Sequence, residues 1–343
     1  MTYVRNAWYV AAWAHELAMG RLAGVRILNE PIVIWRNAAG DLAAFEDRCI
    51  HRLAPLSLGR CEGEKLRCMY HGLLYDRTGR VVEIPGQDRI ASSLRVRTYP
   101  VVERHSWIWV WMGDVAAADE RLIPPAVGME DVDQDSYVFG HGQVDFAADA
   151  RLVYDNLLDL SHISFLHAES LRMGEIWAME RPNVTEQERS VRSERWFRYG
   201  SRSGSVYAEE SGDTHFCCDC FVPGIVVLTN RTYPVGTADA LSGNVPDLNE
   251  PEPSGVVSHA ITPMTDKSTR QFYLIVRPRR GEETAHDTTI EERAFVEDKT
   301  MIEAQQRNID VTPGHRFIPT QADRAVLLFN RLTEKLSSVE KAT

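Results

Sequence analysis

Long hydrophobic runs are missing from this sequence of 343 residues. A membrane-spanning helix needs about 20 consecutive apolar residues, so we expect no membrane span. Basic residues are also in deficit, because 38 Lys and Arg stand against 49 Asp and Glu, a net charge of −11. An acidic surface argues against nucleic-acid binding. It is better suited to binding a basic patch on a protein partner. The first residues lack the apolar core and cleavage site of an export signal, and we therefore expect a cytoplasmic protein.

Cysteine is scarce, with six residues in the chain. Without an export signal, these cysteines are expected to be thiols or metal ligands instead of a disulfide framework. Three of them, Cys217, Cys218 and Cys220, lie in a strand-like run, where cysteine behaves as a small hydrophobic residue. We expect those three to pack in a core.

Two cofactor-binding patterns are absent as well. The sequence has no convincing Gly-x-Gly-x-x-Gly fingerprint for a dinucleotide and no plant-type Cys-x4-Cys-x2-Cys spacing for a second cluster. The chain therefore has no visible means of taking hydride from NADH. Any electrons from that source must arrive through a separate protein.

Strand signals dominate the first third of the chain. Residues 25–49 contain β-branched and aromatic runs separated by Asn-Glu-Pro and Ala-Gly-Asp turns, which is typical of hairpins. The stretch "SWIWVWMGD" at 106–114 is apolar on both faces, as in a buried strand. The pattern is lost before Pro124, and we place a domain boundary there, with domains 1–118 and 119–343.

The second domain mixes helix and strand signals. A helical stretch around residues 150–167 is followed by strand-like runs at 216–230 and 269–278 and a closing helix from about 289 to 307. The proline-rich stretch 243–255 is expected to be a surface loop. Together the two domains predict an α+β protein.

Two short Cys/His pairs stand out in the first domain, Cys49-x-His51 and Cys68-x-x-His71. Mixed zinc fingers usually keep both cysteines in one pair, whereas here each pair supplies one of each type. This mixing favours a [2Fe–2S] cluster with two cysteines on one iron and two histidines on the other. Structural zinc remains the alternative. Cys61 belongs to neither pair and is expected to be a packing or surface thiol.

The residues around these pairs carry a family resemblance. The pattern C-x-H-R, followed by R-C-x2-H-G-x2-Y-D-x2-G and ending at residue 79, resembles the Rieske motif of ring-hydroxylating oxygenases. The resemblance implies that Cys49, His51, Cys68 and His71 hold a Rieske cluster.

A second metal-type pattern, Asp159-x2-His162-x4-His167, follows in the second domain. The two histidines are about 140° apart on a regular helix, so they can share one metal only if the helix ends or bulges between them. An ordinary amphipathic helix is the alternative. The pattern resembles the mononuclear iron site of Rieske non-heme oxygenases. That resemblance makes both histidines ligands, and Asp159 a bridge to a Rieske histidine of the neighbouring subunit. A carboxylate suits this position because it can accept hydrogen bonds from two imidazoles.

Two imidazoles need a carboxylate to complete a facial triad. On the closing helix, Asp298 lies in an apolar stripe that also contains Ile290, Phe295, Met301 and Ile302. Glu297 and Glu303 have mostly polar helical neighbours. A buried carboxylate needs a partner, and a metal supplies one. The resemblance also places its third ligand on this helix. A surface aspartate is the alternative for Asp298.

Four other residues are candidates for the site. Asn156 matches a residue near the iron in some relatives, although capping or core hydrogen bonding would also explain it. His259 stands in the "His-x-x-Thr-Pro" context of a substrate-binding histidine in relatives of the dicamba monooxygenase type, and a buried core histidine is an equal alternative. Asn230 and Arg231 end a strand and either face a substrate anion or are solvated.

The resemblance extends over nearly the whole chain, because "NAWYVA" at 6–11, the Rieske motif, "SWIWVWMGD", the iron motif and the closing helix come in the family's order. It is strongest to the group of vanillate O-demethylase, dicamba O-demethylase and toluenesulfonate methyl-monooxygenase. The implied fold is an antiparallel β Rieske domain, then a catalytic domain with a central antiparallel sheet and flanking helices. The implied cofactors are the [2Fe–2S] cluster and mononuclear Fe(II), with O₂ as co-substrate.

The implied activity is that of a terminal oxygenase component, a homotrimer supplied with electrons by a separate NAD(P)H-dependent reductase or ferredoxin. The expected reaction is oxidative O-demethylation of a methoxylated aromatic acid with release of formaldehyde. Oxidative N-dealkylation of an aromatic amide and methyl hydroxylation are alternatives. An electron carrier that uses only the Rieske motif and a zinc-stabilised binding module are alternatives from other classes.

Overall fold

The structure is a computed structural model that describes residues 3–200, 212–244, 246 and 253–342. The chain divides into two compact units. The N-terminal unit contains Arg5–Ile123 and the short segment Thr262–Asp266, and the C-terminal unit is formed mainly by Pro124–Ile261 and Lys267–Thr343. The α+β class is confirmed, while the boundary between residues 118 and 119 stays a prediction.

The N-terminal unit is built from three sheets. Its strands are β1 (Trp8–Trp13), β2 (Leu22–Ile27), β3 (Glu30–Arg36), β4 (Leu42–Glu46), β5 (Arg60–Glu62), β6 (Lys65–Arg67), β7 (Leu74–Tyr75), β8 (Val81–Glu83), β9 (Thr98–Tyr99), β10 (Val101–Arg104) and β11 (Trp107–Trp111). They pair antiparallel in the orders β1-β11-β10, β2-β3-β4-β9 and β5-β6-β7-β8. The loop with Cys49 and His51 connects β4 to β5, and the loop with Cys68 and His71 connects β6 to β7.

Strand β11 is buried on both faces, as its apolar sequence predicts. Trp107, Trp109 and Trp111 are each completely buried. Trp8 of β1 meets Trp111 edge to face, with ring centroids 5.5 Å apart. The large buried rings give this unit its core.

The C-terminal unit is organised around one seven-stranded sheet. Its strands are β12 (Tyr137–Phe146), β13 (Asn183–Glu186), β14 (Ser190–Phe197), β15 (Asp213–Phe221), β16 (Ile225–Tyr233), β17 (Gly255–Thr265) and β18 (Ser268–Pro278). The strand order is β12-β18-β17-β16-β15-β14-β13. The helices are α1 (Ala150–Leu158), α2 (Ile163–Leu166), α3 (Ile176–Met179), α4 (Thr237–Ala240), α5 (Thr289–Val311) and α6 (Arg324–Ala342).

Three features differ from the sequence-based expectation. The stretch 150–167 is not one helix, because α1 ends at Leu158 and α2 begins only at Ile163. Helix α5 is four residues longer than expected at its C-terminal end, and α6 was not predicted. Most of the proline-rich stretch 243–255 lies outside the described residues.

Within the described part of the chain, every helix is too short or too polar to cross a lipid bilayer.

Candidate metal centres

The two cysteines of the Rieske motif are buried at the bases of two tight loops. Cys49 is 2% exposed and Cys68 is 1% exposed. Each begins a turn closed by backbone hydrogen bonds, from Cys49 N to Ala54 O at 2.8 Å and from Cys68 N to Leu73 O at 2.8 Å. Their thiols are hydrogen-bonded to each other, and burial raises the pKa of Cys68. The sulfur ligands therefore meet at the inner end of the two loops.

The two histidines of the motif lie at the outer end of the same loops. His51 and His71 are exposed, and their ring centroids are 4.6 Å apart. One zinc ion holds its ligand atoms at about 2.0–2.3 Å, which requires them to lie close together. Among the described residues, no three ligand atoms from this motif lie within 4.8 Å of one another. Paired sulfurs at one end and paired imidazoles at the other fit a two-iron cluster better than one zinc ion.

Two residues outside the ligand set shape this site. Gly72 has a φ of +77°, and a Cβ there would lie 2.8 Å from Pro85 Cγ, so the turn after His71 requires glycine. The hydroxyl of Tyr75 lies 3.1 Å from Cys49 Sγ and accepts a hydrogen bond from the backbone N–H of Ile50. Tyr75 thus links one sulfur to the loop backbone.

The remaining cysteine of the N-terminal unit, Cys61, lies on β5 and outside both loops. Its sulfur is 4.0 Å from Arg21 O and 3.9 Å from Arg36 O, and burial raises the pKa of its thiol. These weak contacts fit a packing thiol.

Three side chains converge in the C-terminal unit. Asp298 Oδ1 lies 3.5 Å from His162 Nε2 and 3.2 Å from His167 Nε2. One ligand atom from each of the three lies within 4.8 Å of the others. Two imidazoles and one carboxylate that meet from two elements form the donor set of non-heme iron sites.

Breaks in the helix lie on either side of the two histidines. Asp159 has φ −102° and ψ 86°, which ends α1, and a 3₁₀ turn then carries the chain to His162. His167 has φ −102° and ψ 22° and ends the single turn of α2. His162 and His167 therefore lie at the two ends of α2, and the centroids of their rings are 5.2 Å apart.

The expected contact of Asp159 differs in detail. Its carboxylate accepts a hydrogen bond from Ser161 N at 3.0 Å and caps the 3₁₀ turn. It is the backbone carbonyl of Asp159 that meets His162 Nδ1, at 2.6 Å. A tight turn brings the carbonyl of one residue near the side chain three positions later, which explains the difference. The bridge from the carboxylate to a histidine of another subunit stays a prediction.

The structure adds a residue that the sequence interpretation set aside. Glu297 Oε2 lies 2.8 Å from His167 Nδ1 and accepts a hydrogen bond from Ser170 Oγ at 2.6 Å. Glu297 seemed peripheral because its neighbours along α5 are polar. Two features of the sequence could have indicated a role for Glu297: its position next to Asp298, and a serine three residues after His167.

Asn156 lies beside the three converging side chains. Its Nδ2 donates to Asp298 Oδ1 at 2.9 Å and lies 3.4 Å from His162 Nε2. The hydrogen bond orients the Asp298 carboxylate, so Asn156 acts on the site by way of Asp298.

The electrostatic environment separates the two histidines. Burial lowers the pKa of His162, and the Asp298 charge only partly opposes this effect. Burial also acts to lower the pKa of His167, but hydrogen bonds to Asp298 and Glu297 outweigh it and raise the pKa. His167 therefore has the more anionic surroundings.

The candidate substrate residues lie on the central sheet. His259 is 2% exposed, its Nδ1 lies 3.1 Å from Gln271 Nε2, and burial lowers its pKa to about 4. Asn230 pairs with Gly255 and Val226 pairs with His259, so Asn230 and His259 point to the same face. Arg231, the next residue after Asn230, points to the opposite face.

The three cysteines of β15 are all buried. Cys217 points to one face of the sheet, and Cys218 and Cys220 point to the other. No group of potential metal ligands found among the described residues includes them.

Two family models match the chain. The Rieske [2Fe-2S] domain matches residues 7–100, and the vanillate O-demethylase oxygenase C-terminal domain matches residues 146–338. Together they span the loops of the cluster motif and all three side chains of the second centre.

Curated relatives align along almost the full length. The vanillate O-demethylase oxygenase subunit of Pseudomonas sp. (strain ATCC 19151) is 34% identical over 92% of this chain and 97% of its own. The iron-sulfur subunit of the toluene-4-sulfonate monooxygenase system of Comamonas testosteroni is 31% identical over 98% of each chain. The oxygenase component of chloroacetanilide N-alkylformylase of Rhizorhabdus wittichii is 31% identical over 97% of this chain and 95% of its own.

A solved structure agrees in fold. The crystal structure of dicamba monooxygenase with non-heme iron and dicamba has a TM-score of 0.77 and 28% sequence identity, covering 100% of this chain and 99% of the other.

Proposed function

This chain belongs to the family of Rieske non-heme iron oxygenase components that includes vanillate O-demethylase, and we propose that it catalyses oxidative O-demethylation of a methoxylated aromatic acid. The observation that carries the proposal is the convergence of His162, His167 and Asp298. This donor set leaves metal positions open for small molecules. A Rieske cluster in the same chain supplies the electrons that such a centre needs.

The residues present fit both metal groups. Cys49 and Cys68 would hold the inner end of the [2Fe–2S] cluster, and His51 and His71 its exposed end. When bound, the cluster supplies single electrons, and a mononuclear iron activates dioxygen so that one oxygen atom enters a C–H bond.

The protein groups around the second centre orient its ligands. The carbonyl of Asp159 accepts from His162 Nδ1, which leaves Nε2 of that ring with a free lone pair for the metal. Asn156 holds one oxygen of Asp298, so the carboxylate keeps its direction. We assign Asp159 a second role, to carry electrons from His71 of a neighbouring subunit to His162, and Asn156 the role of orienting Asp298.

The proposed reaction balances as a monooxygenation. A methoxy group, O₂, two electrons and two protons give a hemiacetal and water. The hemiacetal then loses formaldehyde and leaves a phenol. No group of the chain has to act as nucleophile, since the collapse needs only transfer of the hydroxyl proton.

An aromatic acid is the substrate class that the relatives favour. Vanillate and toluene-4-sulfonate, in the names of two relatives, are both aromatic anions. On this protein, Asn230 and His259 share one face of the sheet, and the Asn230 side-chain oxygen has no hydrogen-bond partner. We propose that these two side chains contact the substrate.

N-dealkylation is the second candidate, because one relative of similar identity is named a chloroacetanilide N-alkylformylase. It requires the same hydroxylation next to a heteroatom, followed by loss of an aldehyde. Methyl hydroxylation is a further alternative reaction. Its alcohol product is stable, and no aldehyde is released.

The protein is an oxygenase component, so its electrons come from a separate reductase or ferredoxin. We further propose a homotrimer, in which each Rieske cluster serves the iron of the next subunit. A cytoplasmic location is part of the same proposal, and it rests on six cysteines that are all unpaired.

The test is a substrate screen of the loaded protein with NADH and a generic reductase. Methoxybenzoates, N-alkyl anilides and methylated aromatic sulfonates are compared, and formaldehyde, phenol and NADH consumption are measured together. O-demethylation predicts equal amounts of formaldehyde and phenol from a methoxybenzoate, and none from the Asp298→Ala variant. Aldehyde from anilides alone, or alcohol without aldehyde, would replace this proposal by the corresponding alternative.

A further inference from the structure

The carboxylate of Glu297 connects two elements beside the mononuclear centre. Its Oε2 lies 2.8 Å from Nδ1 of His167 and accepts a hydrogen bond from Ser170 Oγ at 2.6 Å. We propose that Glu297 is a positioning residue, which holds His167 in the tautomer and ring orientation that bind the metal. The inference rests on the proposed iron site, and the experiment separates the two.

The tautomer follows from hydrogen-bonding chemistry. A neutral imidazole carries one N–H, and a carboxylate can only accept. The proton of His167 therefore lies on Nδ1, toward Glu297, and the lone pair lies on Nε2. That nitrogen is the one 3.2 Å from Asp298 Oδ1, on the metal side of the ring. A histidine with the opposite tautomer would present an N–H to the metal and could not bind it.

Glu297 has a hydrogen-bond donor at one oxygen and a longer, mostly exposed ion pair at the other. Ser170 donates to Oε2, and Arg293, one helical turn earlier, places its Nε 3.6 Å from Oε1. The side chain of His167 is only 3% exposed. Water is therefore a weak competitor for this contact, and the carboxylate has little freedom to turn away.

The two metal-binding histidines are supported unequally. His162 donates to a neutral backbone carbonyl, whereas His167 donates to a carboxylate. A carboxylate acceptor raises the basicity of the imidazole and commonly contributes 10–100-fold, as an order of magnitude, to metal affinity. Only one of the two contacts is made by a side chain, so only His167 can be tested by substitution of its acceptor.

One helix binds both nitrogens of the same ring. Glu297 and Asp298 are consecutive residues of α5, and they approach Nδ1 and Nε2 of His167 respectively. The helix thus supplies a metal ligand and the group that orients a second ligand. The orientation of the His167 ring therefore depends more on α5 than on the short helix that precedes His167.

The experiment measures Fe(II) affinity of the mononuclear site in the full-length protein under anaerobic conditions, by chelator competition. Cluster absorbance is followed in the same samples to show that the Rieske centre is intact. We expect Glu297→Ala to weaken Fe(II) binding about 10–100-fold. Glu297→Gln should weaken it less, since the amide oxygen still accepts a hydrogen bond. Ser170→Ala, a milder change, should also weaken it.

A matched control is available on the same helix. Glu291 Oε1 lies 2.9 Å from His286 Nε2, so Glu291→Gln alters another carboxylate–histidine pair of α5 outside the site. The Fe(II) affinity of the Glu291→Gln variant should equal that of the wild type. The Co(II)-substituted protein gives a second readout, because a change at His167 should shift the d–d absorption of Glu297→Gln and not that of Glu291→Gln.

Two results would overturn the inference: wild-type Fe(II) affinity in Glu297→Ala, or an equal loss in the Glu291→Gln control. Asp298→Ala tests the iron site itself. If that variant binds Fe(II) as the wild type does, the proposed function fails. If Asp298→Ala loses Fe(II) and Glu297→Ala does not, only the role of Glu297 is wrong.

Discussion

Nδ1 of His162 lies 2.6 Å from the carbonyl oxygen of Asp159, and the Asp159 carboxylate takes no part in that contact. The carboxylate instead accepts from Ser161 N. A main-chain acceptor survives substitution of the side chain as long as the backbone path is kept. The orientation of His162 is therefore independent of the side chain at position 159, and the two proposed roles of Asp159 can be tested separately.

Asp159→Asn should separate electron transfer from iron binding. Asparagine caps a turn about as well as aspartate, so the fold, the cluster and Fe(II) affinity should be retained. Turnover should be nearly abolished, because the proposed path between subunits needs the side-chain carboxylate as an acceptor for His71 of the neighbouring subunit, and an amide offers one acceptor oxygen instead of two. The measurement is single-turnover oxidation of the pre-reduced cluster after addition of O₂ and substrate. A wild-type oxidation rate, or a fully active monomer, would show that electrons take another path.

Asp298→Ala should remove the mononuclear iron and keep the cluster. The variant loses the carboxylate that we propose as a ligand, and Asn156 loses its acceptor, so turnover should fall below detection. Iron is counted against cluster absorbance in the purified protein. Glu303→Gln is the control on the same helix, since Glu303 accepts from Ala147 N and touches no member of the triad. Full activity of Asp298→Ala would refute the ligand assignment.

Cys68→Ser should give a protein without the cluster, whereas Cys61→Ser should keep it. The sulfur of Cys68 is buried between the two loops, and that of Cys61 makes only long contacts on β5. Visible absorbance and acid-labile sulfide of the two purified variants provide the comparison. A colourless Cys61→Ser beside a brown Cys68→Ser would reverse the assignment.

Tyr75→Phe should lower the reduction potential of the cluster without removing it. The hydroxyl lies 3.1 Å from Cys49 Sγ, and a hydrogen bond to a ligand sulfur stabilises the more negative, reduced state. Loss of about 1 kcal/mol corresponds to about 40 mV for a one-electron couple. Protein-film voltammetry measures the difference directly. An unchanged potential would mean that the hydroxyl donates elsewhere.

Asp155→Asn should stabilise the protein at neutral pH and flatten its pH dependence. Burial raises the pKa of Asp155 from 3.8 to about 6. The folded state therefore holds a proton that the unfolded chain releases, and stability falls as pH rises from about 4 to about 6, by about 3 kcal/mol at most. The asparagine side chain does not titrate in this pH range, so it makes no pH-dependent contribution to stability. The free energy of unfolding in urea is measured for the wild type and for Asp155→Asn near both ends of this pH range. An equal change with pH in the two proteins would contradict the assignment.

The sequence predicted the features that depend on local pattern. Strand β11 follows from its continuous apolar run, and most of α5 follows from helical periodicity. The spacing of His162 and His167 required an end or a bulge in the helix for a shared metal, and the structure places the two residues at the two ends of α2. The metal motifs identified the family because the ligands lie close together along the chain. Asp298 is buried, as its place in the apolar stripe predicted, but Ile290 and Met301 of the same stripe are exposed, so the stripe was only partly right.

Contacts between distant segments could not be predicted in this way. Glu297 was set aside because its helical neighbours are polar, yet its partner His167 comes from another element, 130 residues away in sequence. The fold brings the two together, and periodicity within one helix contains no information about that approach. The same limit applies to Asp159, because its backbone carbonyl and not its side chain contacts His162. Backbone geometry is invisible in a residue pattern.

Strand β17 has a consequence for how this protein can be divided. It begins in the C-terminal unit, but residues from Thr262 onward belong to the N-terminal unit. There Thr262 Oγ1 donates to Val10 O at 2.6 Å, and the backbone N–H groups of Leu28 and Asn29 donate to Pro263 O and Met264 O. A fragment cut anywhere between the two units would lack these partners. The iron–sulfur part is therefore not a transferable module, and a chimera that exchanges it between relatives must carry the Thr262–Asp266 segment of the same parent.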